Sequence, residues 1–436
     1  MSFKKTMLAV VAVSALTAAT AVPAMALENE FHGLYRLRAI TSNYENAAGG
    51  VLKNDAATLN VFEQRARLMY VAKASDDLKL VTHFEIDSSW GDAAYQNGRG
   101  VGGGAGADSV NMETKNVYLD FKIPSTPVNA KVGIQGFTDA YKGIFFNNDA
   151  AGALLSGKTG PTTITGGYFR LNDGGGASTI GKANIDLYVL DGKFAVSKDL
   201  SVGGSYYLVR NDLNYSGQDL HMVGVNAAAN IGPVAVDGFA IFQGGDEIYA
   251  PVGKTVTAFA AQVAAKAKMG PGALRGAVLY TSGDGGTNPD DTHAFQNIME
   301  SAGATPTTFT ASGSNYYSAD MLLLMRSKWA MDSDKAIVST ANNANQGLIL
   351  GAVGFDASLS SKLSATANVG FGMDAHRNAA TGRNSKVIGT EVNVQVNYKV
   401  YDNLMASLQG AYVLLGGRST STDDPFLGGA MLNYTF

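Results

Sequence analysis

Residues 390–400 read T-E-V-N-V-Q-V-N-Y-K-V, in which polar residues alternate with Val or Tyr. A strict period of two is typical of a β-strand with one polar and one apolar face. Residues 401–403 resemble a turn, and the alternation resumes over residues 404–414, which predicts a β-hairpin. Residues 62–73 and 116–123 alternate in the same way. Runs of this length match the ~9–11 residues of a tilted membrane-spanning strand better than the ~5–6 residues of a globular one.

Short turns and long polar connections alternate along the chain, as they do in outer-membrane barrels. Eight short turns and nine longer connections predict 18 strands, with a range of 16 to 20. We therefore expect an all-β fold, a transmembrane antiparallel up-and-down β-barrel. The barrel must close, because unpaired backbone groups in hydrocarbon cost several kcal/mol each. The turns lie at residues 74–77, 124–127, 158–161, 197–199, 232–233, 270–272, 360–362 and 401–403.

The composition excludes several other classes of protein. Of 436 residues, 46% are hydrophobic, which excludes a disordered chain, and none is Cys, which excludes a disulfide scaffold or a thiolate metal site. Charged residues make up 16%, well below the ~25% of an ordinary soluble domain. Gly accounts for 52 residues, and the apolar residues are spread thinly, which favours many short strands over one large core.

Residues 1–26 have the features of a cleaved export signal. Lys4 and Lys5 precede an apolar run, and Ala24-Met25-Ala26 provides the small-residue cleavage pattern. The remaining chain carries 31 Lys and Arg against 37 Asp and Glu, a net charge of −6, which argues against nucleic acid as a partner. We expect residues 27–436 to form a single barrel in the bacterial outer membrane, with the longest connection, residues 284–345, adding a hairpin, lying outside the cell or folding inward.

The end of the chain resembles a known family. Gly428, Ala430, Leu432, Tyr434 and Phe436 share one strand face and end in an aromatic residue. With Arg65-Ala66-Arg67-Leu68 and residues 116–121, this pattern resembles the Gram-negative outer-membrane porins, most closely the porin-like proteins of metal-respiring delta-proteobacteria.

The resemblance implies an outer-membrane channel for passive diffusion, often a homotrimer in contact with outer-membrane lipid. It also implies that Leu432, Tyr434 and Phe436 form the signal that the barrel assembly machinery reads. Two features depart from the general porin pattern. The connection over residues 284–345 is very long, and the third loop, near residues 139–150, is short where porins fold a longer loop inward.

Polar strand faces must point into the barrel, because an Arg or Lys that faces lipid at the midplane costs ~2–4 kcal/mol. If the first turn pairs Ala74 with Leu78, then Arg65 lies opposite Asp87 and Arg67 lies opposite a second carboxylate. The pore-lining candidates on these faces are His32, Arg36, Arg38, Glu63, Arg65, Arg67, His83, Glu85, Asp87, Tyr118, Asp120, Glu391 and Gln395.

Two interpretations of these charges remain open. In the first, they form cross-strand ion pairs that stabilise the wall, each worth ~0.2–1 kcal/mol. In the second, Arg36, Arg38, Arg65 and Arg67 form a basic ladder beside an acidic one, and the resulting transverse field selects ions.

Aromatic residues on the opposite faces are expected to contact lipid. Rings near strand ends form girdles at the headgroup level of outer-membrane barrels. The girdle candidates are Tyr35, Tyr70, Phe84, Phe121, Tyr398, Tyr412 and Tyr434.

Three sequence motifs imitate ligand sites without the context that those sites need. Residues 152–159 match the phosphate-binding GxxxxGK[ST] pattern, but Gly160-Pro161 follows where a helix should begin. Residues 98–103 fit GxGxxG within a Gly tract, and residues 103–108 match a single copy of a calcium-binding β-roll repeat, which needs stacked copies. The five His show no HExxH arrangement. We expect no cofactor, no metal and no enzymatic activity.

Three functions therefore remain for the chain. It is expected to be a porin for passive diffusion of ions and small polar solutes. The alternatives are a channel selective for sugars or anions, and a barrel sheath that houses a partner such as a multihaem cytochrome. Because the chain itself contains no CxxCH, any haem would belong to another chain.

Overall fold

The computed structural model describes residues 27–44, 54–92, 100–106, 111–173, 184–212, 217–248, 253–285, 288, 290–298, 317, 319–331, 336–377 and 385–436. Its strands are β1 (Glu28–Ser42), β2 (Leu59–Ser75), β3 (Leu78–Trp90), β4 (Gly100–Gly103), β5 (Met112–Lys122), β6 (Val128–Thr138), β7 (Asn147–Thr159), β8 (Thr162–Asn172), β9 (Ile185–Ala195), β10 (Leu200–Asn211), β11 (Gln218–Ile231), β12 (Val234–Asp246), β13 (Thr255–Met269), β14 (Gly272–Thr281), β15 (Asp291–Thr292), β16 (Leu348–Ser358), β17 (Leu363–Asp374), β18 (Val387–Tyr401), β19 (Leu404–Leu415) and β20 (Phe426–Thr435). No helix in these ranges is long and apolar enough to span a membrane.

Eighteen of these strands form a closed antiparallel barrel. Each pairs with its neighbours along the chain, and β1 pairs with β20 from Leu34↔Thr435 to Ser42↔Leu427, which closes the sheet. The short strands β4 and β15 pair in parallel with the last residues of β3 and the first residues of β13, respectively. The eight short turns lie at one end of the barrel, called the short-turn end here, together with β1's first residues and β20's last. The predicted fold class and strand number are confirmed.

The two faces of each strand meet different surroundings. On β18, Val392, Val394 and Tyr398 are 45%, 47% and 47% exposed on the outer face. Glu391 and Gln395, which alternate with them, are 0% and 9% exposed because they face the interior. An apolar outer band is what a membrane-spanning barrel needs.

The predicted register between β2 and β3 is confirmed at its charged residues. Arg65 pairs with Asp87, and Arg67 with Glu85. The predicted turn pair is wrong in detail, because Leu78 pairs with Ser75 rather than with Ala74. An irregularity between residues 73 and 75 absorbs the difference, so the shift does not reach the charged pairs.

The inward strand faces are polar on β1 to β3 but largely apolar on another part of the wall. On the halves of β9 to β16 that lie away from the short-turn end, most inward residues are apolar and buried, among them Leu187, Val209, Leu220, Leu279 and Leu350. They form one cluster with side chains of the connections 139–146 and 282–347. These inward faces contact folded-in loops instead of water.

The closing seam generates a prediction about Gly33. A Cβ at Gly33 would strike the backbone oxygen of Arg67 and lie 2.7 Å from the Phe436 ring, whereas a Cβ at Gly351 would meet open space. We expect Gly33→Val to destabilise the barrel by ~1–3 kcal/mol through overpacking, and Gly351→Val to stay within about 0.5 kcal/mol of wild type. The temperature at which the heat-modifiable folded band disappears on a gel measures this. Equal temperatures for the two variants would contradict the close packing at the seam.

Candidate functional site: the lumen and its inward loops

Three neighbouring strands, β1 to β3, carry a ladder of ion pairs on their inward faces. Arg38 Nε lies 2.9 Å from Glu63 Oε1. Arg65 makes a two-pronged contact with Asp87, at 2.6 Å from Nε and 2.5 Å from Nη2. Arg67 contacts Glu85, whose Oε2 also lies 3.4 Å from Arg65 Nε. These side chains are nearly all buried, so low dielectric strengthens the pairs.

The third loop, residues 139–146, turns into the barrel although it is short. The Asp139 carboxylate holds its shape by accepting four backbone N–H groups at 2.7–2.9 Å, from Tyr141, Gly143, Phe145 and Phe146. Burial raises the pKa of the Asp139 carboxyl to about 6, because lost hydration outweighs the four donors that favour its charged form. The carboxylate replaces the backbone partners that a regular strand would have provided.

Aromatic rings fix the third loop against the wall. Tyr141 meets the rings of Tyr207 on β10 and Phe239 on β12 edge-on, with centroids 6.3 and 5.5 Å away. Gly224 on β11 makes room for it, since a Cβ there would lie 2.5 Å from the Tyr141 hydroxyl oxygen. The loop therefore crosses the interior from β6 to the wall formed by β10 to β12.

Parts of the long connection, residues 282–347, also fold inward. Glu391 on β18 accepts the backbone N–H groups of Leu322, Leu323 and Leu324 at 2.7, 3.0 and 2.6 Å. Five strands further round the barrel, Gln243 of β12 makes two hydrogen bonds to the backbone of Gln296, at 2.7 and 2.8 Å. This connection is thus fastened to two separate parts of the wall.

The two inward loops also contact each other. The N–H of Ile298 donates to the carbonyl of Phe145 at 2.7 Å. Phe145, Ile298 and Phe295 belong to the same buried apolar cluster. Together the loops narrow the lumen by a joint structure with its own core.

Arg275 on β14 is the main charged anchor at the short-turn side of the long connection. Its guanidinium contacts Asp320, lies 3.0 Å from Asp356 Oδ1 and donates to Asn368 Oδ1 at 2.8 Å. Asp320 and Ala319 have φ values of 61° and 46°, in the left-handed region that is costly for residues other than Gly. The ion pair holds a strained elbow in place.

Trp329 in the long connection lies against the polar side of the wall. Its Nε1 donates to Gln395 Oε1 at 2.8 Å. The guanidinium carbon of Arg36 and the Lys328 ammonium lie 5.1 and 5.6 Å from its ring centre, within the range of cation–π attraction.

A cavity of about 490 Å³ lies between the inward loops and the short-turn end of the barrel. Charged side chains from the wall and from both loops line it, including Lys142, Asp237, Lys266, Arg275 and Asp320. A smaller space of about 90 Å³ adjoins it, since Asp320 and Asn368 line both. The lining of the second space includes four amide side chains and Trp329.

The sequence-derived pore-lining candidates all lie on inward faces, but they do not form one surface. Glu391 and Gln395 are covered by the long connection, so they anchor it instead of bordering open space. His32 lies exposed near the short-turn end beside Glu30. The ring of Tyr118 makes a cation–π contact with the Lys131 ammonium. The remaining candidates, which lie on β1, β2, β3 and β5, are Arg36, Arg38, Glu63, Arg65, Arg67, His83, Glu85, Asp87 and Asp120.

The girdle candidates lie on outer faces. Tyr35, Tyr398, Tyr412 and Tyr434 are 37–47% exposed there. Tyr70, Phe84 and Phe121 pair with the outward residues Phe31, Leu68 and Leu78, respectively.

Several residues that shape the lumen were missed at the sequence level. Asp139, Arg275 and Asp320 contact partners that are distant in sequence or belong to irregular backbone. Only Arg275 had a local signal, as a charged residue between the small residues of β14. Residues 152–159 lie in β7 and lead into the turn at Gly160-Pro161, without a helix. In the ranges that the structure describes, no three His, Asp or Glu are grouped as metal ligands.

Glu391 provides a test of how the long connection is held. Gln at this position offers an amide N–H₂ to a backbone N–H, so at least one N–H loses its acceptor at a cost of ~1–3 kcal/mol. We expect Glu391→Gln to open the segment 319–331 and to raise its cleavage rate by a protease about tenfold in detergent solution. Glu30→Gln at the exposed rim serves as the control and should cleave like wild type. An unchanged rate in Glu391→Gln would show that the apolar cluster alone holds this segment.

Comparisons with known proteins support the fold. No protein-family model and no curated protein matches the chain. Among solved structures, it is similar to OpdL of Pseudomonas aeruginosa, with 14% identity, a TM-score of 0.56 and coverage of 94% of this chain and 99% of that chain. It is also similar to the outer membrane protein opdK of the same organism, with 9% identity, a TM-score of 0.56 and coverage of 94% of this chain and 98% of that chain. For OccAB4 of Acinetobacter baumannii the identity is 11%, the TM-score is 0.56, and the coverage is 94% of this chain and 98% of that chain. At these identities the likeness shows that the chain has the fold of these outer-membrane barrels.

Proposed function

We propose that the protein is an outer-membrane porin through which ions and small polar solutes diffuse passively. The observation that carries this proposal is the charge-lined cavity of about 490 Å³ inside a closed barrel, below loops that narrow the lumen. Barrels of 16–18 strands are wide enough to leave an aqueous channel. The charged side chains that line the cavity provide the polar surface that such a path needs.

The sheath alternative is not favoured, because the two inward loops occupy the space that a partner chain would need. The selective-channel alternative is narrower than the proposal and depends on what the cavity binds. Catalysis is no part of the proposal.

The outer membrane is the proposed location. The leader at residues 1–26, on which export depends, lies outside the described residues. Outer-face residues such as Phe31 and Leu408, 59% and 65% exposed, would contact lipid. Leu432, Tyr434 and Phe436, 42%, 37% and 49% exposed, would be available to the barrel assembly machinery. The narrower kinship with porin-like proteins of metal-respiring delta-proteobacteria remains a prediction, since the similar solved structures come from Pseudomonas and Acinetobacter.

A homotrimer is part of the proposal and is supported by one region of the outer face. Around the seam, Thr41, Gly428 and Gly410 lie side by side on β1, β20 and β19 and leave a shallow surface. Nearby, Gln64 accepts hydrogen bonds from Tyr35 and Trp90 at 3.0 and 3.2 Å. Gln64 Nε2 in turn donates to Ser88 Oγ at 3.0 Å. This group of polar side chains near the seam is the surface that a second subunit would cover.

Ion conduction tests the proposed function. The purified protein in a planar bilayer should give discrete conductance steps, and reversal potentials in asymmetric salt give its ion selectivity. Removing two positive charges in Arg65→Ala/Arg67→Ala should shift the reversal potential towards cations if the ladder acts as a field. The control is Val278→Thr, a variant of similar shape on the outer face of the barrel, which should leave the reversal potential unchanged. No steps in wild type would contradict the porin, whereas unchanged selectivity in the Arg variant would leave these pairs a structural role only.

A further inference from the structure

The cavity below the inward loops has the size of a ligand site. Its volume of about 490 Å³ falls within the ~300–1,000 Å³ of small-molecule sites. β12, β13, β14 and β16 form its wall, and the third loop and the long connection border it through Lys142 and Asp320. A solute that passes the loops on this side of the barrel would meet it.

Gln262 on β13 supplies an unused pair of hydrogen-bonding groups. The side chain lines the cavity and is 1% exposed. Within the part of the chain that the structure describes, neither its Oε1 nor its Nε2 has a hydrogen-bond partner. Burying an amide without hydrogen-bond partners costs free energy, so a bound polar group that bonds to this donor and acceptor would be stabilised.

The charges around the cavity are balanced and already engaged. Lys142 Nζ lies 2.5 Å from Asp237 Oδ2. Arg275 contacts Asp320, and its other partner, Asp356, also lies 3.3 Å from a lysine, Lys266. A charged solute would have to break such a pair. Hydroxyl groups can instead hydrogen-bond to these ionised groups while the pairs remain.

Part of the cavity wall is lined by small residues. Ala264, Ala277 and Ala352 lie side by side on β13, β14 and β16. Ala235 and Gly354 also line the cavity. Such a surface suits the C–H face of a sugar ring, while the rim of charges and the Gln262 amide suit its hydroxyls.

We propose that this cavity is a binding subsite for a neutral polyhydroxylated solute of mono- or disaccharide size. The solute's hydroxyls would satisfy both polar atoms of Gln262 and bond to the paired charges, and its apolar face would rest on the alanines. The inference rests on the proposed channel function and adds a substrate class to it.

Equilibrium binding tests the subsite independently of conduction. The probe is maltose, titrated by calorimetry into the full-length mature protein in a detergent without a sugar headgroup. We expect saturable binding to wild type and binding about fivefold to tenfold weaker to Gln262→Leu, which keeps the size of the side chain but makes no hydrogen bonds. Ala277→Leu, which places a larger side chain between Ala264 and Ala352, should weaken binding as well and provides a second variant if the first does not fold.

Gln409→Leu is the matched control. Gln409 is also an inward, buried glutamine with an unpartnered Oε1, but it lies on β19 and does not line the cavity. Its variant should bind maltose like wild type. Equal binding by Gln262→Leu, or saturable binding of acetate but not of maltose, would overturn the subsite.

Parallel bilayer recordings separate this inference from the proposed function. Conductance without maltose binding would overturn the subsite alone. Maltose binding without any conductance would overturn the channel and leave the subsite. In conducting wild-type channels, maltose should reduce the current to a saturating level, and Gln262→Leu should need about fivefold to tenfold more maltose for half of that effect.

Discussion

Backbone pairing is the constraint on which the rest of this structure depends. Every strand must find hydrogen-bond partners on both edges where no water can supply them, and only closure of β1 on β20 removes the last free edges. Closure with 18 strands fixes the alternation of faces all around the wall. It also produces an interior too wide for the wall's own side chains to fill. The inward loops fill part of this wide interior, because they bring apolar residues to the apolar inner faces of β9 to β16.

The irregular backbone of the loops inside the barrel also needs hydrogen-bond partners, and two carboxylates provide many of them. Asp139 binds four N–H groups of the third loop, and Glu391 binds three of the long connection. Carboxylates are suited to this role because they are acceptors only and can receive several bonds. The two loops held in this way are joined by the hydrogen bond from Ile298 N–H to the Phe145 carbonyl.

Alternation and turn geometry were enough to predict the wall of the barrel from the sequence. The strand number and the pairing of Arg65 with Asp87 depend only on the local alternation of residues and on a two-residue turn, so they could be predicted. The loops that fill the lumen could not be predicted. A period of two places Leu220 and Glu391 inward but does not reveal that a loop covers them, because the partners lie far away in sequence. Arg275 and Asp320 are 45 residues apart, and no local pattern connects them.

The central claim is that ions pass by the cavity below the loops. The chain has no Cys, so a single introduced thiol has no background. Ala277 lines the cavity, and its neighbour Val278 is 57% exposed on the outer face. A charged thiosulfonate reagent added to Ala277→Cys channels in a bilayer should reduce their current irreversibly, and Val278→Cys channels should keep theirs. Unchanged current in Ala277→Cys channels, with labelling verified by mass, would contradict a path through this cavity.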